Sequence, residues 1–341
     1  MHPQPHVNLD DDPGLPGPYD APENDDLWFL PEEGAEEIPL PRASPAGLVD
    51  GAAWAAAEAG LTAELAALAF DAGRLAERLR VAGPGAVQRL ALEEAASLSW
   101  WTGDRIGADR LALWTSYRIG AAEADGAGLI RTAWAARRLM APGARSLRGA
   151  LADVLGDDGR GDLLLAAEVE AALQPVAGLS EVTRGCAAFH LWRALDERPE
   201  HLRGLEAALL GAREAGQGAL PFLPLSLTGF GALTASGAPE RRLAAWIQGA
   251  QRAVLAALLR LDRLAEWRRR ADAETADLSG RTPARLIAAL AAHPMLGAAQ
   301  AEAETGASRA AVQRNLDRLV ERGLAREVTG QGRFRVWAAR V

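Results

Sequence analysis

Residues 296–341 read LGAAQAEAETGASRAAVQRNLDRLVERGLAREVTGQGRFRVWAARV. Gly306-Ala307-Ser308 supplies a turn glycine and then a serine whose hydroxyl accepts a hydrogen bond from an otherwise unsatisfied N–H, so a helix is predicted to start at Ser308. Val312, Leu316, Leu319 and Val320 then recur at helical spacing as one apolar stripe, with Arg309, Ala310, Gln313 and Arg314 beside it at the N-terminal end. Gly323 is placed to close that helix, and Leu324–Val328 can begin a strand. Thr329-Gly330-Gln331-Gly332 reads as a turn. In the returning strand, Arg333-Phe334-Arg335-Val336 alternates basic with apolar, which predicts Phe334 and Val336 buried and both arginines facing outward.

This order of elements is that of a helix-turn-helix followed by a two-stranded wing. In such a module the second helix enters the major groove of double-stranded DNA with its first turns at the base edges, where Arg and Gln bond purines in bidentate fashion. The expected DNA-facing set is therefore Ser308, Arg309, Ala310, Gln313, Arg314, Gln331, Arg333 and Arg335. Charge agrees: from Arg281 onward there are ten arginines against five carboxylates, a local +5 in a chain whose net charge is −8. Glu302 stands where the first helix of such a motif ordinarily carries a small apolar residue, which predicts a weak first helix. The alternative reading of the same residues is a dimerisation or docking module with solvated arginines.

Composition narrows the class. The chain has 341 residues, 49% hydrophobic and 24% charged, as in a soluble globular protein of two domains. No apolar run approaches the roughly 18 uncharged residues of a membrane span, and MHPQPHVNLDDD lacks the parts of a secretion signal, so a cytoplasmic protein is expected. The single cysteine, Cys186 in TRGCAAFHLW, excludes an intrachain disulfide and fits a buried small residue. All 37 basic residues are arginine, which excludes a catalytic lysine and a Walker-type phosphate loop. No clustered metal ligands and no cofactor motif are present in the sequence.

Residues 1–43 hold eleven carboxylates and one arginine and read as a disordered acidic tail. Within it, Leu27-Trp28-Phe29-Leu30 is an acidic-hydrophobic cluster suited to a protein partner or to the chain's own basic surface. Residues 44–270 are rich in Ala, Leu, Glu and Arg and predict a helical bundle, with helices near 48–81, 86–101, 107–119, 125–140, 145–154, 162–173, 180–195, 201–215 and 240–270. Residues 271–282 read as a linker to a winged domain over 283–341.

Three fragments of the bundle, ALEEAASLSWWTGDRI from Ala91, LPFLPLS, and AAWIQGAQRAVLAALL, resemble in order the Fic superfamily. Among them the chain resembles Fic-related bacterial proteins of unassigned function that end in a helix-turn-helix, whose tails run like GLAREVTGQGRFRVW. The resemblance covers roughly residues 86–270 plus the tail, and the first fragment is similar to the helix EASxSSxIEG of that superfamily. It implies a Fic-like helical domain. Active Fic proteins share a loop HPFxDGNGRxxR that supplies a base, a metal-bearing carboxylate and a phosphate cradle; the corresponding stretch here, HLWRALDERPEHLRGLEAALLGAREAG from His190, has none of these. Thr102 also stands where the inhibitory helix carries its glutamate.

Phosphoryl-group chemistry depends on orientation and charge neutralisation by such a loop. The expectation is therefore a mainly α, catalytically inactive Fic-like protein, without cofactor, metal or catalytic residue, that regulates transcription as a DNA-binding homodimer. Its helical domain would dimerise or sense. The alternatives are a divergent Fic-like nucleotidyl transferase built around His190 and Arg203, with Asp196 or Glu197 supporting the histidine, and a non-enzymatic protein-interaction module.

The −10 tail and the +5 module define a first prediction. Deleting residues 1–43 raises DNA affinity at low salt and changes it little at high salt, because screening acts over only about 8 Å at physiological ionic strength; Trp28→Ala tests the aromatic anchor. Equal low-salt affinity of full-length and truncated protein refutes self-competition and leaves the tail to other partners.

Overall fold

The computed structural model describes residues 47–119, 126–141, 167–195, 200–330 and 334–341. The acidic tail with Trp28 and Phe29, the predicted helix near 145–154, and Gln331 and Arg333 lie outside the described residues, as do Asp196 and Glu197.

The chain is mainly helical with one small antiparallel sheet. Asp50 caps α1 (Gly51–Gly60) by accepting from the Ala53 N–H. A single helix over 48–81 was the sequence expectation; instead the chain breaks at Leu61 and restarts as α2 (Thr62–Ala82). Gly60 and the Thr62 hydroxyl, which bonds the Ala59 carbonyl at 2.9 Å, explain the interruption. Gly83 at φ +83° and Pro84 start α3 (Pro84–Thr102), and Gly103, left-handed at φ +95°, ends it.

Next come α4 (Ala108–Tyr117) and α5 (Gly126–Met140). After a helical stretch at 167–172 and a 3-10 turn at Gln174–Val176 follow α6 (Glu181–Leu195), α7 (Glu200–Gly216), the short α8 (Gly231–Thr234) and α9 (Pro239–Glu274). Glycine permits a close crossing of α6 and α7, where a Cβ on Gly185 would meet the Gly211 carbonyl at 2.5 Å.

The C-terminal segment comprises α10 (Thr282–Ala292), β1 (Leu296–Gly297), α11 (Ala298–Thr305), α12 (Arg309–Glu321), β2 (Ala325–Glu327) and β3 (Val336–Ala339). β3 is central: the sheet order is β1-β3-β2, with Leu296 opposite Trp337 and Ala325 opposite Ala339. All four β3 residues are buried because the strand lies between two cores. Val336 and Ala338 join the large core of α1–α9, while Trp337 and Ala339 join a second core with Leu286, Ile287, Leu290, Leu316 and Leu319. The period-two alternation of a strand thus divides its side chains between the two.

The expected linker over 271–282 is shortened to the turns at 275–281. α9 continues to Glu274, because Trp267 and Ala271 repeat its apolar face at i, i+4 and enter the second core fully buried. The Trp267 indole donates to the Leu324 carbonyl at 2.8 Å, and Arg322 donates to the Glu274 carbonyl and clasps the Asp277 carboxylate at 2.6 and 2.8 Å. The segment also docks on the bundle. Arg89 of α3 donates to the carbonyls of Leu290 (2.5 Å), His293 (2.6 Å) and Ala291 (3.4 Å), which end α10. Gly85 lies so near α10 that a Cβ there would sit 1.7 Å from the Ala292 carbonyl oxygen. The Tyr117 hydroxyl accepts from the Gly297 N–H at 2.6 Å and donates to Gln300 at 2.8 Å. No helix among the described residues is long and apolar enough to cross a membrane.

At the centre of the bundle α3 buries Glu94 completely. One carboxyl oxygen accepts from the N–H groups of Leu225 and Ser226, both at 2.9 Å, and so holds the LPLS segment in place; the other has no hydrogen-bond partner among the described residues. Burial outweighs these hydrogen bonds and pushes the carboxyl from the ordinary 4.5 up to about 7. The folded state therefore holds a proton that the unfolded chain gives up, and the stabilisation is full below about pH 4.5 and lost as pH rises through 7. We expect the wild-type advantage over Glu94→Gln, measured by urea unfolding, to shrink by up to roughly 3 kcal/mol between pH 5 and 8. Parallel pH profiles for the two proteins contradict this assignment.

Candidate nucleic-acid interface

Three residues join α11 to α12, and each has a defined task. Gly306 ends α11 at φ +64° with its N–H on the Glu302 carbonyl at 2.8 Å. Ala307 donates its N–H to the Thr305 hydroxyl at 3.3 Å, and Arg285 of α10 holds the Thr305 carbonyl at 2.6 Å. Ser308 caps α12 by accepting from the Ala311 N–H, as its sequence position implies. The expected defect at Glu302 is absent, because the buried small residue of α11 is its neighbour Ala301, with Glu302 only half-buried. A register error of one residue accounts for the difference.

α12 packs on α10, α11 and β2 through Val312, Leu316 and Leu319. Its opposite face carries Ser308, Arg309, Ala310, Arg314 and Arg318, all exposed. Ala310, Arg314 and Arg318 form one i, i+4, i+8 row, and no hydrogen bond or ion pair to a described residue engages Arg309, Arg314 or Arg318. Arg318 was missed in the sequence, although its spacing from Arg314 was the available signal.

Gln313 is half-buried and already engaged. Its amide donates to the Asp317 carboxylate at 2.8 Å, one turn along the helix, so it lies at the edge of the exposed face and not at its centre.

The wing departs from expectation. β3 begins at Val336, and Phe334, expected to be buried, is 79% exposed at φ +58°. Arg335, expected to face outward for phosphate contact, turns inward: it bonds Glu327 at 2.7 Å, reaches Asp317 at 3.5 Å, and stacks 5.0 Å from the Trp337 ring centroid. The physical cause is Trp337. Its burial in the second core sets the phase of the strand, and the Arg335 guanidinium covers the exposed side of that ring. Of the eight expected residues, the structure thus gathers Ser308, Arg309, Ala310 and Arg314 on one face, sets Gln313 at its edge and removes Arg335, while Gln331 and Arg333 lie outside the described residues.

The alternative centre differs in kind. His190 of α6 is half-buried, with its ring edge-on to Phe189 at 4.9 Å between centroids and its Nε2 without a hydrogen-bond partner among the described residues. Burial, then the charges of Arg242 and Arg193, pull it from 6.5 down to about 3. Arg203 stands in the first turn of α7, half-buried. Among the described residues no group of three or more His, Cys, Asp or Glu is placed to hold a metal ion.

Arg335 is a structural residue in this geometry. Arg335→Ala lowers stability by about 1–2 kcal/mol through loss of the ion pair and the Trp337 contact, read from urea denaturation with Trp fluorescence. Unchanged stability would return Arg335 to the solvent-facing set.

Scanned against models of known protein families, the chain matches none, and a search of curated proteins finds none similar to it.

Proposed function

We propose that residues 282–341 form a winged helix-turn-helix and that the protein is a sequence-specific DNA-binding protein acting as a transcriptional regulator. The observation that carries this reading is the face of α12: three exposed arginines that make no side-chain hydrogen bond or ion pair with a described residue, at and beyond a capped N-terminus, presented by a helix whose other side is buried in the second core. Guanidinium groups in a row one turn apart match phosphate and purine edges, and the first turns of a recognition helix are where base contacts fall. The succession helix, strand, helix, helix, strand, strand with β3 between β1 and β2 supports the fold part of the proposal.

The helical part serves in this reading as a Fic-like, non-catalytic platform for dimerisation or sensing. A single small module buries little surface on DNA, and a two-fold dimer reads paired half-sites. Transfer chemistry on a hydroxyl needs a base that takes up a proton near the working pH. A histidine held at about 3 between Arg242 and Arg193 does not meet that need.

Selection from a random duplex pool with the full chain should enrich one motif. At that motif Arg314→Ala costs about 1–3 kcal/mol and relaxes preference at one position, whereas Arg318→Ala weakens all sequences and reduces the salt slope by about 1. Absence of any enriched motif at modest salt, or retention of full affinity by the Arg309→Ala/Arg314→Ala/Arg318→Ala protein, refutes the proposal.

A further inference from the structure

A cleft of about 380 Å³ lies between α3, α9 and the ends of β2 and β3. Its wall carries five arginines, Arg89, Arg260, Arg263, Arg326 and Arg340, against one acidic side chain, Glu93, with Val341 also in the wall. In a chain with net charge −8, this concentration of positive charge requires a cause. Three of the five have internal tasks: Arg89 holds the α10 carbonyls, Arg260 pairs with Glu93, and Arg326 pairs with Asp109 at 2.5 Å. Arg263 and Arg340 line the cleft, are exposed, and make no side-chain hydrogen bond or ion pair with a described residue. The floor is apolar, from Leu90, Leu261 and Leu264. At the Glu93 end the carboxylate is half-buried against Arg260, and partial burial pushes its carboxyl up.

We infer that this cleft binds a small phosphomonoester carrying an apolar group, with Arg263 and Arg340 as its anion clamp. The volume falls in the range of small-molecule sites, roughly 300–1,000 Å³, and leaves no room for a double helix. A phosphomonoester carries close to two negative charges near neutral pH and three acceptor oxygens, enough to engage two guanidinium forks, whereas a carboxylate carries one charge and satisfies one fork. The leucines accept what the phosphate bears. Residues of the bundle and of the sheet line the same cleft, so the ligand would touch both. The site stands whether or not α12 binds DNA.

The test is calorimetric titration of the full chain with phenyl phosphate, without DNA, beside inorganic phosphate, benzoate and phenol. Saturable one-to-one binding of phenyl phosphate is expected, tighter than each of the other three. Arg263→Ala and Arg340→Ala, both exposed and dispensable for packing, each weaken it about tenfold, as loss of a charge-assisted contact does. Glu93→Gln, which releases Arg260, tightens it. No saturable binding, equal affinity for benzoate or inorganic phosphate, or indifference to both arginine variants overturns the inference. Displacement of phenyl phosphate by a short duplex, with Arg263→Ala and Arg340→Ala losing duplex affinity in proportion, also overturns it and makes the cleft part of a nucleic-acid surface.

Discussion

Arg89 against the end of α10 is the contact on which the arrangement of the C-terminal half depends. The last carbonyls of a helix lack partners within it and carry the negative end of its dipole, so a half-buried guanidinium aimed at three of them answers both deficits. Burial pulls Arg89 down to about 10, which still leaves it charged at neutral pH. The close approach this needs is possible because Gly85, one turn earlier on α3, has no side chain to strike the Ala292 carbonyl. With α10 seated there, Tyr117 reaches Gly297, β1 lies along β3, and β3 can divide its side chains between two cores.

Because the sheet is held from both sides, α12 is presented on a fixed support. Leu316 and Leu319 are anchored in the second core, and the turn after α12 is pinned by the Trp267 indole at the Leu324 carbonyl. Burial on one face leaves Arg309, Arg314 and Arg318 on the other. The same geometry draws Arg335 into the wing, where it shields Trp337 and joins Glu327 to Asp317. Arginine in this protein therefore has separable roles according to burial and partners: helix-end ligand at Arg89, wing brace at Arg335, and exposed cation on α12 at Arg309 and Arg314.

The arginine cleft follows from the same docking. Arg89, Arg260 and Glu93 belong to α3 and α9, Arg326 to β2 and Arg340 to the residue after β3, and the seating of α10 places them around one volume. Glu94, one residue from Glu93 and on a different face of α3, looks into the bundle and fastens the LPLS segment. Adjacent carboxylates thus serve different ends because the helix turns by about 100° between them.

What the sequence determined by itself was local. Ser308 as a cap, Gly306 and Gly323 as helix ends, Pro84 after Gly83, and the stripe of α9 all act within a few residues of where they stand, and each element they mark is present. The face holding Ser308, Arg309, Ala310 and Arg314 was legible for the same reason, since helical period alone separates it from Val312 and Leu316. The tertiary structure decided what depends on distant partners. β1 is two residues long and carries no periodic signal, so it exists only because β3 lies beside it. The phase of the wing, read as arginines outward, was set by which strand residue the second core accepts, and Trp337 took that place. Residues 271–282 read as a linker from their polar composition, but the burial of Trp267 and Ala271 carries α9 through the first of them. Local backbone preference fixes where an element starts and stops; which of its faces is inside depends on the free energy of burying apolar surface against residues some 200 positions away in the chain, and that is known only once the two surfaces meet.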